Sequence, residues 1–184
     1  MAPQEQDRLA DGPVLRIGVS RCLLGDAVRY DGGHKLDRFL IETLGRRVEW
    51  VPVCPEVEVG LGTPREPLQL VGDSRAPRLV TIDTAVDHTE AMSRFAHRRL
   101  GELEALGLSG FVFKSGSPSC GLAGVPLFDD QGTETRDGIG LFARAFMERF
   151  PLIPVEEEQR LHDPRALQTF LERAARYHWS RARK

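Results

Sequence analysis

Short β-branched and aromatic runs alternate along this chain with segments of helical periodicity, and that alternation restricts the fold more than any other feature. Leu15-Arg-Ile-Gly-Val19, Val48-Glu-Trp-Val-Pro-Val53 and Gly110-Phe-Val-Phe113 have the length and composition of buried strands. Between them, Phe39, Leu40, Ile41 and Leu44 recur at helical spacing behind a capping Asp37. Met92, Phe95, Leu100 and Leu103 form the apolar face of a long helix expected over 84–106, with Gly107 just past its end. Runs at 68–71 and 79–82 read as two more short strands about a turn containing Gly72, Asp73 and Pro77. Leu141, Phe142, Ala145 and Phe146 mark a helix over 139–149, and Leu167, Phe170, Leu171 and Ala174 one over 164–182. Strands alternating with helices predict an α/β fold: a mainly parallel sheet flanked by helices, Rossmann-like in three layers, with right-handed crossovers.

A chain of 184 residues fits one such domain, expected over 14–153. A polar, unstructured tail over 1–13 precedes it, and a helical extension over 154–184 follows. The hydrophobic fraction of 41% and net charge of −2 exclude a disordered chain. No apolar run approaches the roughly 18 residues of a membrane span. Met1 to Gly12 offers no apolar stretch for a secretory signal, so a cytoplasmic location is expected. Arg94, Arg98 and Arg99 cluster, but acidic residues balance them and give nucleic-acid binding little electrostatic support.

The three cysteines, Cys22, Cys54 and Cys120, are odd in number and widely spaced, which does not describe a disulfide framework. They are buried thiols, a catalytic thiol with bystanders, or ligands of a soft metal. Position separates these readings. Each cysteine stands just after a predicted strand: Cys22 after Val19, Cys54 after Val53 and Cys120 after Phe113. If those strands run parallel, all three loops open on the sheet edge where α/β folds bind ligands. Metal ligation is therefore favoured. No C-x(2–4)-C pair of a closed zinc site is present. Cubane iron–sulfur clusters ordinarily take four cysteines, so three would leave one iron open to substrate or water.

The same loops carry polar chemistry. Cys54-Pro-Glu56 sets a carboxylate two residues from a candidate ligand, where it could move protons; its bland alternative is an exposed loop glutamate. Lys114-Ser-Gly-Ser-Pro-Ser-Cys120 offers Ser117 and Ser119 as substrate contacts, or is an ordinary Ser/Gly/Pro turn. Arg29, Arg65 and Lys114 could bind a polar ring or a phosphate, or simply face solvent. The five histidines show no ligand spacing, and no P-loop or G-x-S-x-G is present.

Four ordered segments, Ser20-Arg-Cys-Leu-Leu-Gly25, Val28-Arg-Tyr-Asp-Gly-Gly33, Val51-Pro-Val-Cys-Pro-Glu56 and Lys114-Ser-Gly-Ser-Pro-Ser-Cys-Gly121, resemble a bacterial family whose members include thiouracil desulfidase. The resemblance runs over about 16–152. It implies a [4Fe-4S] cluster held by Cys22, Cys54 and Cys120, with the open iron facing the sulfur of a thiolated pyrimidine such as 2- or 4-thiouracil or 4-thio-UMP. Sulfide leaves, water supplies the oxygen, and no net redox change occurs. It also implies Glu56 as the acid/base and Ser117 as the catalytic serine, with Ser119 the second candidate. The segment from Pro154 resembles the junction to a second domain in longer relatives, a module suited to RNA. Its absence directs the expectation to a free base, nucleoside or nucleotide. Two rivals remain: a non-catalytic metal- or redox-sensing module using the same thiols, and a desulfidase acting on 4-thiouridine in tRNA.

Overall fold

Apolar strand runs and helix periodicities are realised along the chain in a computed structural model that describes residues 14–45 and 47–182. The elements are β1 (Leu15–Ser20), a 3-10 turn (Arg21–Leu24), α1 (Arg38–Leu44), β2 (Val48–Val53), α2 (Pro55–Glu58), β3 (Leu68–Val71), β4 (Arg78–Thr81) and α3 (Thr89–Leu106). They continue with β5 (Gly110–Phe113), β6 (Val125–Phe128), β7 (Glu134–Gly138), α4 (Leu141–Arg149), β8 (Val155–Glu157), a second 3-10 turn (Arg160–His162) and α5 (Pro164–Ala182). The tail expected over 1–13 lies outside the described residues.

The central sheet has the order β2-β1-β5-β8 and is parallel throughout, as the strand–helix alternation predicts. Side-chain alternation along each strand sends two sets of residues to opposite faces. Ile17, Val19 and Val112 pack with Leu40 and Leu44 of α1 and Leu167, Phe170 and Ala174 of α5. Val51, Val53, Phe111 and Phe113 pack on the other face with α3 and α4. The result is the expected three-layer arrangement with a C-terminal helix.

Phe111 and Phe113 stack at 4.1 Å between ring centroids, and Phe146 meets both edge-on. Gly18 makes room for this cluster, since a Cβ there would lie 2.1 Å from Phe111 Cδ2. Gly18→Ala should therefore destabilise the fold by about 1–3 kcal/mol through overpacking. Adding Phe111→Leu should recover part of the loss. Urea unfolding midpoints check both, and an unchanged midpoint for Gly18→Ala alone would contradict this packing.

The structure corrects the predicted elements in four places. A second, mixed sheet of order β4-β3-β6-β7 is present, and β6 and β7 were not foreseen. Its inward residues Leu70, Leu79, Val125 and Leu127 join the core on the α3/α4 side. The long helix starts at Thr89 instead of 84. The Glu66 carboxylate accepts hydrogen bonds from the N–H of Asp83, the N–H of Thr84 and Thr84 Oγ1, and Ala85 sits at φ 52°. Local side-chain bonds of this kind compete with helix formation. The loop after Cys54 holds the short helix α2. The segment after 153, expected to be helical, first adds β8 to the central sheet beside β5 and then forms α5 over the predicted span.

Candidate active site

Three parallel strands end on the same edge, and the loops leaving them carry the cysteines. Cys22 lies in the 3-10 turn after β1, and Cys54 is the residue before α2. Cys120 lies beyond β5 in a loop seated on the N-terminus of α4. The N–H groups of Gly140, Leu141 and Phe142 donate to the carbonyls of Gly121, Pro118 and Ser119 at 2.8, 3.1 and 3.0 Å. These are amides that a helix start leaves without intrahelical partners. Such close contact requires glycine at 140, where a Cβ would stand 2.5 Å from the Ser119 carbonyl carbon.

All three cysteines line one cavity of about 320 Å³, at the small end of ligand sites, which span about 300–1,000 Å³. Glu56, Ser117, Arg29, Arg65 and Lys114 line it too. Val28, Val53, Pro67, Leu68 and Ile82 give it an apolar side. Ser119 is fully buried and absent from the lining.

The polar partners divide the predicted residues by role. Glu56 is held from two directions: Arg65 Nε and Nη2 donate to Oε2 at 3.0 and 2.5 Å, and Ser119 Oγ donates to Oε1 at 2.9 Å. Arg65 and Glu56 side chains are only 7% and 14% exposed. Ser117 Oγ accepts from the N–H groups of Ser119 and Cys120 at 3.2 and 3.1 Å. Lys114 Nζ donates to Glu158 Oε1 at 2.5 Å, and Glu158 also accepts from the N–H and hydroxyl of Ser115. Arg29 Nε stands 3.5 Å from Asp31, with its guanidinium over the Tyr30 ring.

Several contributors were not foreseen. Glu58 Oε1 accepts the N–H of Cys54 at 2.8 Å, and Arg99 of α3 stands 3.0 Å from its other oxygen, off the line of a hydrogen bond. Ser20 Oγ accepts the Lys114 N–H at 2.9 Å, binding the end of β1 to the start of the Cys120 loop. Glu158 and Arg99 are far from the motifs in sequence, so only the fold reveals them. Ser20 opens the Cys22 motif and Glu58 follows the Cys54 motif by two residues, so their positions alone set them beside the cysteines.

Burial sets the state of the thiols. It pushes Cys22 up to about 11, with Cys54 adding to the effect. Burial likewise raises Cys54 and lifts Cys120 well above the usual thiol range, against the pull of the Ser20 hydroxyl. Without a bound cation the thiols therefore stay neutral near pH 7, and metal binding releases their protons. A raised value means that the protonated form is favoured by the fold. The Cys22 contribution to stability is complete below the ordinary 9.0 and is lost as pH rises through about 11. Melts of the metal-free protein should show this loss, and Cys22→Ala should lessen it, the raised Cys54 and Cys120 keeping the remainder. Equal pH sensitivity in the variant would contradict the assignment.

Among the described residues no three His, Cys, Asp or Glu side chains are grouped closely enough to hold one metal ion. A single zinc draws its thiolates to about 2.3 Å from one point. A cubane takes one thiolate per iron and spreads its ligands around a cavity. Cys22, Cys54 and Cys120 line one cavity and are soft donors of the type that iron–sulfur clusters take. Among the described residues no helix is long and apolar enough to cross a membrane.

Fold and site together define an α/β enzyme-type domain with a strand-end pocket walled by thiols and a buried carboxylate. Residues 17–158 match the model of the 2-thiouracil desulfurase family, and the chain belongs to that family. A solved structure of the [4Fe-4S]-dependent thiouracil desulfidase TudS is 33% identical, with a TM-score of 0.64 over 84% of this chain and 99% of that one. The protein YbbK of Bacillus subtilis (strain 168) is 31% identical over 110 residues, which are 57% of this chain and 72% of YbbK.

Proposed function

We propose that this chain is an iron–sulfur desulfidase that converts a thiolated pyrimidine, 2- or 4-thiouracil or 4-thio-UMP, to its oxo form. The balance is C=S plus water giving C=O plus hydrogen sulfide, with no electron gained or lost. The observation that carries the reading is the gathering of Cys22, Cys54, Cys120 and Glu56 around one cavity in a chain of this family. Cys22, Cys54 and Cys120 would hold the [4Fe-4S] cluster named for TudS. When bound, it supplies an iron without a protein ligand, a soft Lewis acid for thiocarbonyl sulfur.

The chain's own residues do the rest. Glu56 takes a proton from the water that attacks the ring carbon and returns one to the departing sulfur. Ser117 Oγ receives two amide N–H groups, which leaves its own proton free to donate to the substrate. Val53, Pro67 and Leu68 offer an apolar surface for the ring face. Arg29 and Lys114 line the same cavity, each beside a carboxylate, Asp31 and Glu158 respectively, so they offer N–H donors there and little net charge. A cytoplasmic setting keeps the thiols reduced.

The test is anaerobic incubation of cluster-loaded protein with 2-thiouracil, 4-thiouracil and 4-thio-UMP. Loss of thiocarbonyl absorbance with equimolar sulfide is expected. Cluster-loaded protein that turns over no thiolated pyrimidine would refute the proposal. A rate on 4-thiouridine in tRNA exceeding that on the free compounds would reassign the substrate.

A further inference from the structure

We infer that Arg65 is a positioning residue that makes Glu56 a one-sided acid/base; this rests on the desulfidase reading above. A carboxylate offers about four acceptor positions, two per oxygen. Arg65 fills both on Oε2 with Nε–H and Nη2–H, and Ser119 fills one on Oε1. One position on Oε1 is left for water or substrate. Arginine does not release its protons in proteins, so Oε2 is closed to proton exchange and all traffic passes through Oε1.

The guanidinium has little left for a substrate. Nη1 donates to the carbonyls of Val28 and Gly62 at 2.9 and 2.8 Å, which commits four of the five N–H groups to protein acceptors. The Arg65 backbone N–H donates to Tyr30 O at 2.9 Å. Arg65 thus ties the loop after Cys22 to the loop after Cys54 and aims the carboxylate between them. This differs from a substrate anchor, the role its charge suggested in the sequence.

The experiment compares native protein with Arg65→Lys and Arg65→Ala, each loaded anaerobically. Iron and sulfide content and KM should match native, while kcat falls about 100-fold, the scale of a small misplacement of a reacting group. Millimolar guanidinium, a planar donor, should restore kcat of Arg65→Ala saturably, and ammonium should not. A raised KM with intact kcat would make Arg65 a substrate anchor and overturn the inference. So would a kcat that falls only in step with iron content, or absence of rescue in a variant that keeps its iron. Active native protein with an equally active Arg65→Ala sinks this inference alone; inactive native protein sinks the proposed function. One readout is independent of turnover: unfolding-midpoint losses from Arg65→Ala and Glu56→Gln in metal-free protein should be non-additive in the double variant. Additivity would refute the pairing.

Discussion

Replacing any one of Cys22, Cys54 or Cys120 with serine should abolish both iron retention and desulfidase activity. The chain contains these three cysteines and no others, so no spare thiol can replace a lost one. Each sits on a different loop, fixed to a different part of the scaffold: the turn after β1, the start of α2, and the segment seated on α4. A hydroxyl is a hard, weakly acidic ligand where soft thiolates suit iron–sulfur chemistry. The apoprotein should still fold, because serine is nearly isosteric and the aliphatic and aromatic side chains that surround Cys120 in the core are kept. Iron analysis, visible absorbance and sulfide release measure the three consequences together. Full iron content in any one of the variants would remove that cysteine from the ligand set.

Glu56→Gln separates proton chemistry from cluster binding. The amide keeps the shape of the carboxylate. Its oxygen can still accept from Arg65, and its NH₂ can donate to Ser119 Oγ, so the loop around Cys54 should hold its place. What is lost is the capacity to take up a proton. Positioned acid–base groups contribute about 10²- to 10⁴-fold, so kcat should fall by that order with iron content and KM close to native. Iron loss equal to that of the cysteine variants would recast Glu56 as part of the scaffold. Unchanged kcat would exclude it as the acid/base.

Much of this arrangement is legible in the sequence because strand and helix signals there are strong. β1, β2 and β5 are apolar runs buried in the central sheet, and the cysteines lie in the segments that leave them, Cys54 at once, Cys22 two residues on and Cys120 seven. β7 and β8 escaped notice because both are edge strands with little apolar content. Glu134-Thr-Arg-Asp-Gly138 is exposed over four of its five residues, and Val155-Glu-Glu157 is short and charged. β6 carries Pro126, which reads as a strand breaker away from a sheet. The start of α3 was misplaced because Glu66, 18 residues before Thr84, captures the backbone there.

At the site, residue type and position pointed to loops that the fold gathers around one cavity, but not to the pairings inside them. Ser117 and Ser119 are equivalent as letters in a motif. In the fold one hydroxyl accepts from its own loop and faces the cavity, while the other is buried against Glu56. Lys114 and Arg65 looked like free cations. The fold directs one at Glu158, 44 residues away, and the other at Glu56. Such pairings come from tertiary contacts that local patterns do not encode.

Metal content of protein purified without exposure to air decides what the three thiols hold. Cys22, Cys54 and Cys120 as the hands of a cubane predict about four irons and four acid-labile sulfides per chain. One zinc per chain with no iron or sulfide would contradict the account and return the three thiols to a non-catalytic metal-sensing module.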